Sequence, residues 1–160
     1  KAILAAMVPF CGHLGMLPQH VLEEGGYHIK GKKEPEHQKL MADAKALTDA
    51  GEFAIVLELV TPPVAKEISQ AISIPTIGIG SGDGCDGQIL VFHDLFNLTF
   101  GAPAKFARRY ADGAAFFARA LEQYRDDVVR GDFPDDTESY HLPREVRSEF
   151  DARETRARGA

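Results

Sequence analysis

An α/β fold is predicted for this 160-residue chain, and three observations predict it. Four short apolar segments have strand character: VPFCGHLG (8–15), FAIVLELV (53–60), IPTIGIGSG (74–82) and QILVFHDLF (88–96). They are apolar on both faces, which suits parallel strands covered on both sides rather than half-solvated antiparallel ones. Helical patterns lie between and after them, giving an alternation of strands and helices.

Each element has its own signal. Residues 8–15 are apolar and closed by glycines. The stretch MLPQHVLEEGGYHIKGKK (16–33) is a long connection, and connections of that length inside compact domains are usually functional. Residues 34–51 read as a helix, with Leu40, Ala44 and Leu47 on one stripe and Gly51 as its C-terminal cap. TPPVAKEISQAISIP (61–75) opens with Thr-Pro-Pro, a helix start, and closes at Pro75 where the next strand begins. Pro103 to Arg130 is the longest helical stretch, broken at Gly113. Its Phe106, Tyr110, Phe116, Phe117, Leu121 and Tyr124 are assigned to core and subunit contact. The last residues, LPREVRSEFDARETRARGA, are charged and read as a solvated or disordered tail. Two architectures fit this order: an open doubly wound sheet, or part of a (β/α)8 barrel. A full barrel needs about 250 residues, so the chain accounts for half of one.

Composition narrows the class of function. Apolar residues at 44% and charged residues at 26% are ordinary for a globular protein. The net charge of −6 argues against nucleic acid and anionic membranes as partners. No apolar run approaches the roughly 20 residues that span a bilayer, and no signal-peptide pattern is read. Cys11 and Cys85 have no zinc-like spacing and are expected to be reduced thiols of a cytoplasmic protein. The chain opens KAILAAMVP, without an initiator methionine and on what reads as the end of an amphipathic helix, as expected of a sequence that starts within a domain.

Within FAIVLELV, Glu58 is the one charge. Period-2 alternation puts Ala54, Val56, Glu58 and Val60 on one face, with Phe53, Ile55, Leu57 and Leu59 on the other. A carboxylate in such surroundings is costly unless used or paired, and desolvation raises a carboxylate's proton affinity, which suits a general base. Active sites of such folds sit at C-terminal strand ends. A strand-end Glu paired with Lys or Arg is the plainer alternative. His13, in CGHLG, is a candidate for binding a substrate carboxylate or orienting a base, against the commoner structural histidine. GIGSGDG (78–84) invites a phosphate-nest reading but matches neither a P-loop nor GxGxxG, and a tight turn is favoured. Asp83 and Asp86 are weighed as cation ligands against Asx turns. His93 and Asp94, as neighbours on a strand, point to opposite faces and are given structural roles.

Taken in order, VPFCGHLGMLPQ, GGYHIKGK, FAIVLELV, IPTIGIGSGDGCDGQILVFHDLF, PAKFARRYAD and FPDDTESYH resemble the ketopantoate hydroxymethyltransferase (3-methyl-2-oxobutanoate hydroxymethyltransferase) family over residues 8–141. The resemblance implies the C-terminal half of a (β/α)8 barrel, strands five to eight, over residues 1–133, with residues 134–160 a charged, partly disordered extension. It implies Glu58 as general base and His13 as the active-site histidine. It also implies Mg²⁺ as Lewis acid, with ligands in the N-terminal half rather than in this chain, and 5,10-methylenetetrahydrofolate as co-substrate. A homo-oligomer, or association with an N-terminal half, follows from the same likeness. The chain departs from the family pattern at Met16-Leu17, where Leu-Thr is usual, and at Ser81, where alanine is common and the exchange is expected to be conservative. Rival readings are an inactive or split half-barrel, a phosphoenolpyruvate mutase or isocitrate lyase type of barrel enzyme, and a flavodoxin-like binding module.

Overall fold

A computed structural model describes residues 2–143 together with Val146 and Arg147. The chain divides into two compact units, residues 1–112 and 113–160. In the first unit a short helix α1 (Ala2–Ala5) precedes strand β1 (Cys11–Gly15). Helix α2 (Glu34–Ala50), strand β2 (Ala54–Glu58), helix α3 (Pro62–Ala71) and strand β3 (Thr76–Ile79) follow. A two-residue strand β4 (Gly87–Gln88) and a short helix α4 (Phe92–Leu95) complete it. The C-terminal end of α2 and the start of α3 are those the sequence predicts, while α3 ends at Ala71, short of the Pro75 at which the sequence reading closed it. Gly51 caps α2 at φ +95°, its N–H reaching the carbonyls of Leu47 and Thr48, and Pro62 and Pro63 open α3.

All four strands are parallel and lie side by side in chain order, β1-β2-β3-β4. A doubly wound sheet reverses its order at a switch point, and none occurs among these strands. The flavodoxin-like alternative falls with it. Ile55 and Leu57 of β2 pack with Leu40 and Ala44 of α2 and with Val64, Ala65 and Ile68 of α3. Ile55, Leu57 and Ile68 are wholly buried, and each such side chain contributes about 1.5–3 kcal/mol. This is the helix-covered face. By register, Cys11 and His13, Ala54, Val56 and Glu58, and Ile77 and Ile79 share the opposite face.

Two segments differ from the sequence reading. The predicted strand over 88–96 pairs for only two rungs, Ile77 with Gly87 and Gly78 with Gln88, and then turns into α4. Its backbone bonds turn local instead, Asp94 N and Leu95 N both donating to Val91 O at 3.0 Å. Short apolar runs do not by themselves separate helix from strand. Likewise, residues 103–112 are not helical. Tyr110 N–H donates to Leu95 O at 2.9 Å, and the helix of the second unit, α5 (Gly113–Arg130), starts only at the predicted break. Phe116, Phe117, Leu121 and Tyr124 are all exposed and no residue of α5 is buried, contrary to the core role assigned to them. Of the expected extension, residues 134–143 are described and include a one-turn 3-10 helix capped by Asp135. Residues 144, 145 and 148–160, on which the disordered tail was placed, lie outside the described residues.

Glu52 sits at the entrance to β2 and is only 6% exposed. Its Oε2 has no hydrogen-bond partner among the described residues. It fits because Gly12 has no side chain: a Cβ there would lie 2.2 Å from that oxygen. Burial pushes its carboxyl pKa up from the ordinary value. Below the unfolded-state pKa the group is protonated in both states and costs nothing. As pH rises towards and through the raised folded value, the penalty grows. Glu52→Gln is therefore expected to be more stable than the parent at pH 8 by about 1–3 kcal/mol, the gap closing towards pH 4. Urea unfolding at the two pH values checks this, and a gain independent of pH would rule out charge as its cause.

Candidate active site

Glu58 is the last residue of β2. Its neighbours in register are Gly15 of β1 and Ile79 of β3, one without a side chain and one apolar. His13 lies one inward-facing step back on β1. Its Nε2 is 3.1 Å from Glu58 Oε2, with the two side chains 34% and 13% exposed. The pair is close but the ring N–H direction is not aligned with the carboxylate, so Nε2 is buried without a hydrogen-bond partner among the described residues. The structure thus brings together the two residues singled out in the sequence. A carboxylate and an imidazole held this close form a pairing able to take part in proton transfer.

The sequence placed Val60 on the face of Glu58, and the structure does not. Leu59 adopts a left-handed backbone, φ +52°, which costs a non-glycine residue about 1–2 kcal/mol. The turn sends Val60 into the helix-side core, wholly buried, while Glu58 stays on the other face. Four hydrogen bonds to the Glu58–Val60 backbone, and a fifth to the carbonyl of Leu57, hold this kink. Met16 N donates to Glu58 O at 2.8 Å, Lys30 N to Leu59 O at 2.8 Å, and Leu59 N to Ile79 O at 3.0 Å. Ser81 Oγ donates to Leu57 O at 2.7 Å and accepts from Val60 N at 3.1 Å. Gly15, at φ +97°, admits the Met16 contact, since a Cβ there would lie 2.1 Å from Glu58 O. Met16 itself is wholly buried.

A cavity of about 440 Å³ opens in front of Glu58. Tyr27 and Ile29 reach it from the long connection, which is pinned to the end of β2 through Lys30 and Thr61. Val91, Asp94, Thr99 and Phe106 line it from the segment after β4. Its walls are mainly apolar, and its charged lining groups are the carboxylates of Glu58 and Asp94. Asp94 was missed as a cavity residue because the sequence placed it on a strand; on α4 it turns to the cavity. Tyr27 was foreshadowed only by the length of its connection.

The other candidates have local roles. Gly80, Gly82 and Gly84 leave no room for a Cβ against Phe106, Pro62 and Lys66 respectively, which is the packing of a tight turn. Asp86 accepts from Thr76 N at 2.8 Å and from Thr76 Oγ1 at 3.0 Å, bonds that hold its carboxyl pKa below the ordinary value. His93 stacks edge-on against Phe92. Among the described residues no group of three or more His, Cys, Asp or Glu side chains could hold a metal ion, so they do not fit as a ligand set for Mg²⁺.

Ser81 is more than a conservative exchange for alanine here, because its hydroxyl satisfies two buried backbone groups that flank Glu58. Ser81→Ala is expected to cost about 1–3 kcal/mol in urea unfolding. A loss under about 0.5 kcal/mol would show that water or a relaxed backbone takes over both groups.

Comparison with known proteins identifies the family. The family model described as ketopantoate hydroxymethyltransferase matches residues 1–136. A 3-methyl-2-oxobutanoate hydroxymethyltransferase of Koribacter versatilis (strain Ellin345) is 51% identical over 146 residues, 91% of this chain and 50% of the relative. One from Moorella thermoacetica is 47% identical over 140 residues, 88% of this chain and 52% of the relative. One from Helicobacter pylori (strain Shi470) is 50% identical over 130 residues, 81% of this chain and 48% of the relative. The chain spans about half the length of the curated relatives it matches. Such identity over most of its own length, with the family match from residue 1 to 136, makes the chain a member of the ketopantoate hydroxymethyltransferase family.

Proposed function

We propose that this chain forms the proton-abstracting half of a 3-methyl-2-oxobutanoate hydroxymethyltransferase, as strands five to eight of a (β/α)8 barrel. The observation that carries the reading is the Glu58–His13 pair at 3.1 Å, on the sheet face without helices, with Glu58 opening onto a mainly apolar cavity. Sequential parallel strands and family membership support the half-barrel. Glu58 removes the proton from C3 of the keto acid. The resulting enolate carbon bonds to the one-carbon unit of 5,10-methylenetetrahydrofolate, both carbon–nitrogen bonds that hold this unit to the carrier break, water supplies the hydroxyl of 2-dehydropantoate, and the freed nitrogens take up the proton from C3 and one from water. His13, whose Nε2 lies 3.1 Å from Glu58 Oε2, orients that carboxylate while this happens, and the apolar walls keep bulk water from competing for the enolate.

The Mg²⁺ implied by the resemblance finds no ligand set among the described residues. Its ligands are assigned to the part of the relatives' length that this chain does not span. Association with that half, or with further copies of the chain, is supported by the free edge of β1. Two free cysteines, Cys11 and Cys85, suit the reducing cytoplasm. Among the described residues no helix is long and apolar enough to cross a membrane.

Proton exchange at C3 of 3-methyl-2-oxobutanoate in D₂O, followed by NMR without folate, tests the base. Glu58→Gln is expected to slow it about 10²–10⁴-fold, with Mg²⁺ present and with the unmatched half of a relative added where the chain alone shows none. Exchange at the parent rate in Glu58→Gln would remove Glu58 from the reaction. No exchange even with the added half would overturn the proposed chemistry.

A further inference from the structure

The cavity holds a second carboxylate that proton abstraction does not use. Asp94 Oδ1 accepts from Thr99 Oγ1 at 2.7 Å, which fixes the side chain on α4, while no hydrogen bond to Oδ2 is found among the described residues. A keto acid is an anion and gains nothing from a second negative group. With one base needed, a second carboxylate in the lining of an apolar cavity is a recognition element for a ligand rich in N–H donors. A cavity of about 440 Å³ is within the range of roughly 300–1,000 Å³ that takes ligands larger than a small acid.

We propose that Asp94 is a binding residue for the amino-pyrimidinone ring of the one-carbon carrier. The ring's N3–H and 2-amino N–H are parallel donors, and a carboxylate accepts such a pair as a fork. Tyr27 and Phe106, which line the same cavity, supply ring faces against which a flat heterocycle stacks. This inference rests on the proposed function, and it adds the half of the cavity that grips the carrier rather than the acid. In the same frame Glu58 and Asp94 divide the work: one carboxylate faces carbon acid chemistry, the other reads donors.

Two pteridines test it with the 160-residue chain. Pterin carries the 2-amino group, whereas lumazine has a carbonyl oxygen in its place and turns one attraction into a repulsion. The parent is expected to bind pterin about tenfold or more tightly than lumazine, and Asp94→Asn, which keeps an oxygen for Thr99, is expected to lose that preference. The ratio is read within one protein, so partial unfolding does not imitate the effect. Equal binding of the two probes by the parent, or a preference that survives Asp94→Asn, overturns the inference. A parent that binds 3-methyl-2-oxobutanoate but neither pteridine overturns the carrier site and leaves the proposed reaction standing. A parent that binds neither acid nor pteridine, even with the unmatched half of a relative added, overturns both.

Discussion

The kink at Leu59 is the constraint on which the rest of the site depends. A regular strand would carry Glu58 and Val60 on the same face, and the core needs Val60 while the cavity needs Glu58. One residue in left-handed backbone separates them. The strain is sustained because every neighbouring element contributes a bond to it: β1 through Met16, the long connection through Lys30, β3 through Ile79, and the glycine loop through Ser81. Gly15 is required by the same arrangement, since the β1 backbone must pass against Glu58 O with no side chain between. The Glu58 carboxylate is thereby mounted on a strand end held by several elements rather than on a loop.

Much of this was legible in the sequence, for physical reasons that differ by element. Helices α2 and α3 declare their ends through Gly51 and the Pro62-Pro63 pair, which are local chemistry. Glu58 and His13 stand out because a charge and a histidine interrupt apolar strands, and the structure places them side by side. What was not legible depends on neighbours. The run 88–96 is apolar enough for a strand, yet becomes α4 after two rungs, with Asp94 N and Leu95 N donating back to Val91 O; a short apolar run does not by itself tell strand from helix. That change of element moved Asp94 from a position read as structural to the cavity wall. Val60 was misplaced for a related cause: alternation holds only while φ stays negative, and nothing about leucine at position 59 announces a left-handed turn. Ser81 passed for a conservative exchange because its two partners, Leu57 O and Val60 N, lie more than 20 residues away in sequence.

The two sides of the sheet divide stability from chemistry. On the helix side, Ile55, Leu57, Val60 and the facing residues of α2 and α3 supply the burial that holds the unit together. On the other side, small or apolar neighbours leave Glu58 with one polar companion. Glu52, also a buried carboxylate of this strand region, shows the contrast. It is absent from the lining of the cavity in front of Glu58, its Oε2 has no partner among the described residues, and its burial is a load on folding. Burial alone does not make a carboxylate functional; access to a ligand-sized cavity does.

Charge balance gives the cavity its remaining logic. Glu58 and Asp94 bring negative charge to its lining, and no lysine or arginine stands among the residues that line it. A keto acid entering there faces repulsion from any ionised carboxylate close by, on the order of 4 kcal/mol for unit charges 4 Å apart at an effective dielectric constant of 20. The imidazole of His13 is the nearest group able to offset it, and it lies on β1, whose outer edge pairs with no other strand. Positive charge brought across that edge would meet the substrate carboxylate beside His13 and leave Glu58 facing the carbon to be deprotonated. The chemistry proposed for Glu58 therefore needs a counter-charge that no lysine or arginine among the residues lining this cavity provides.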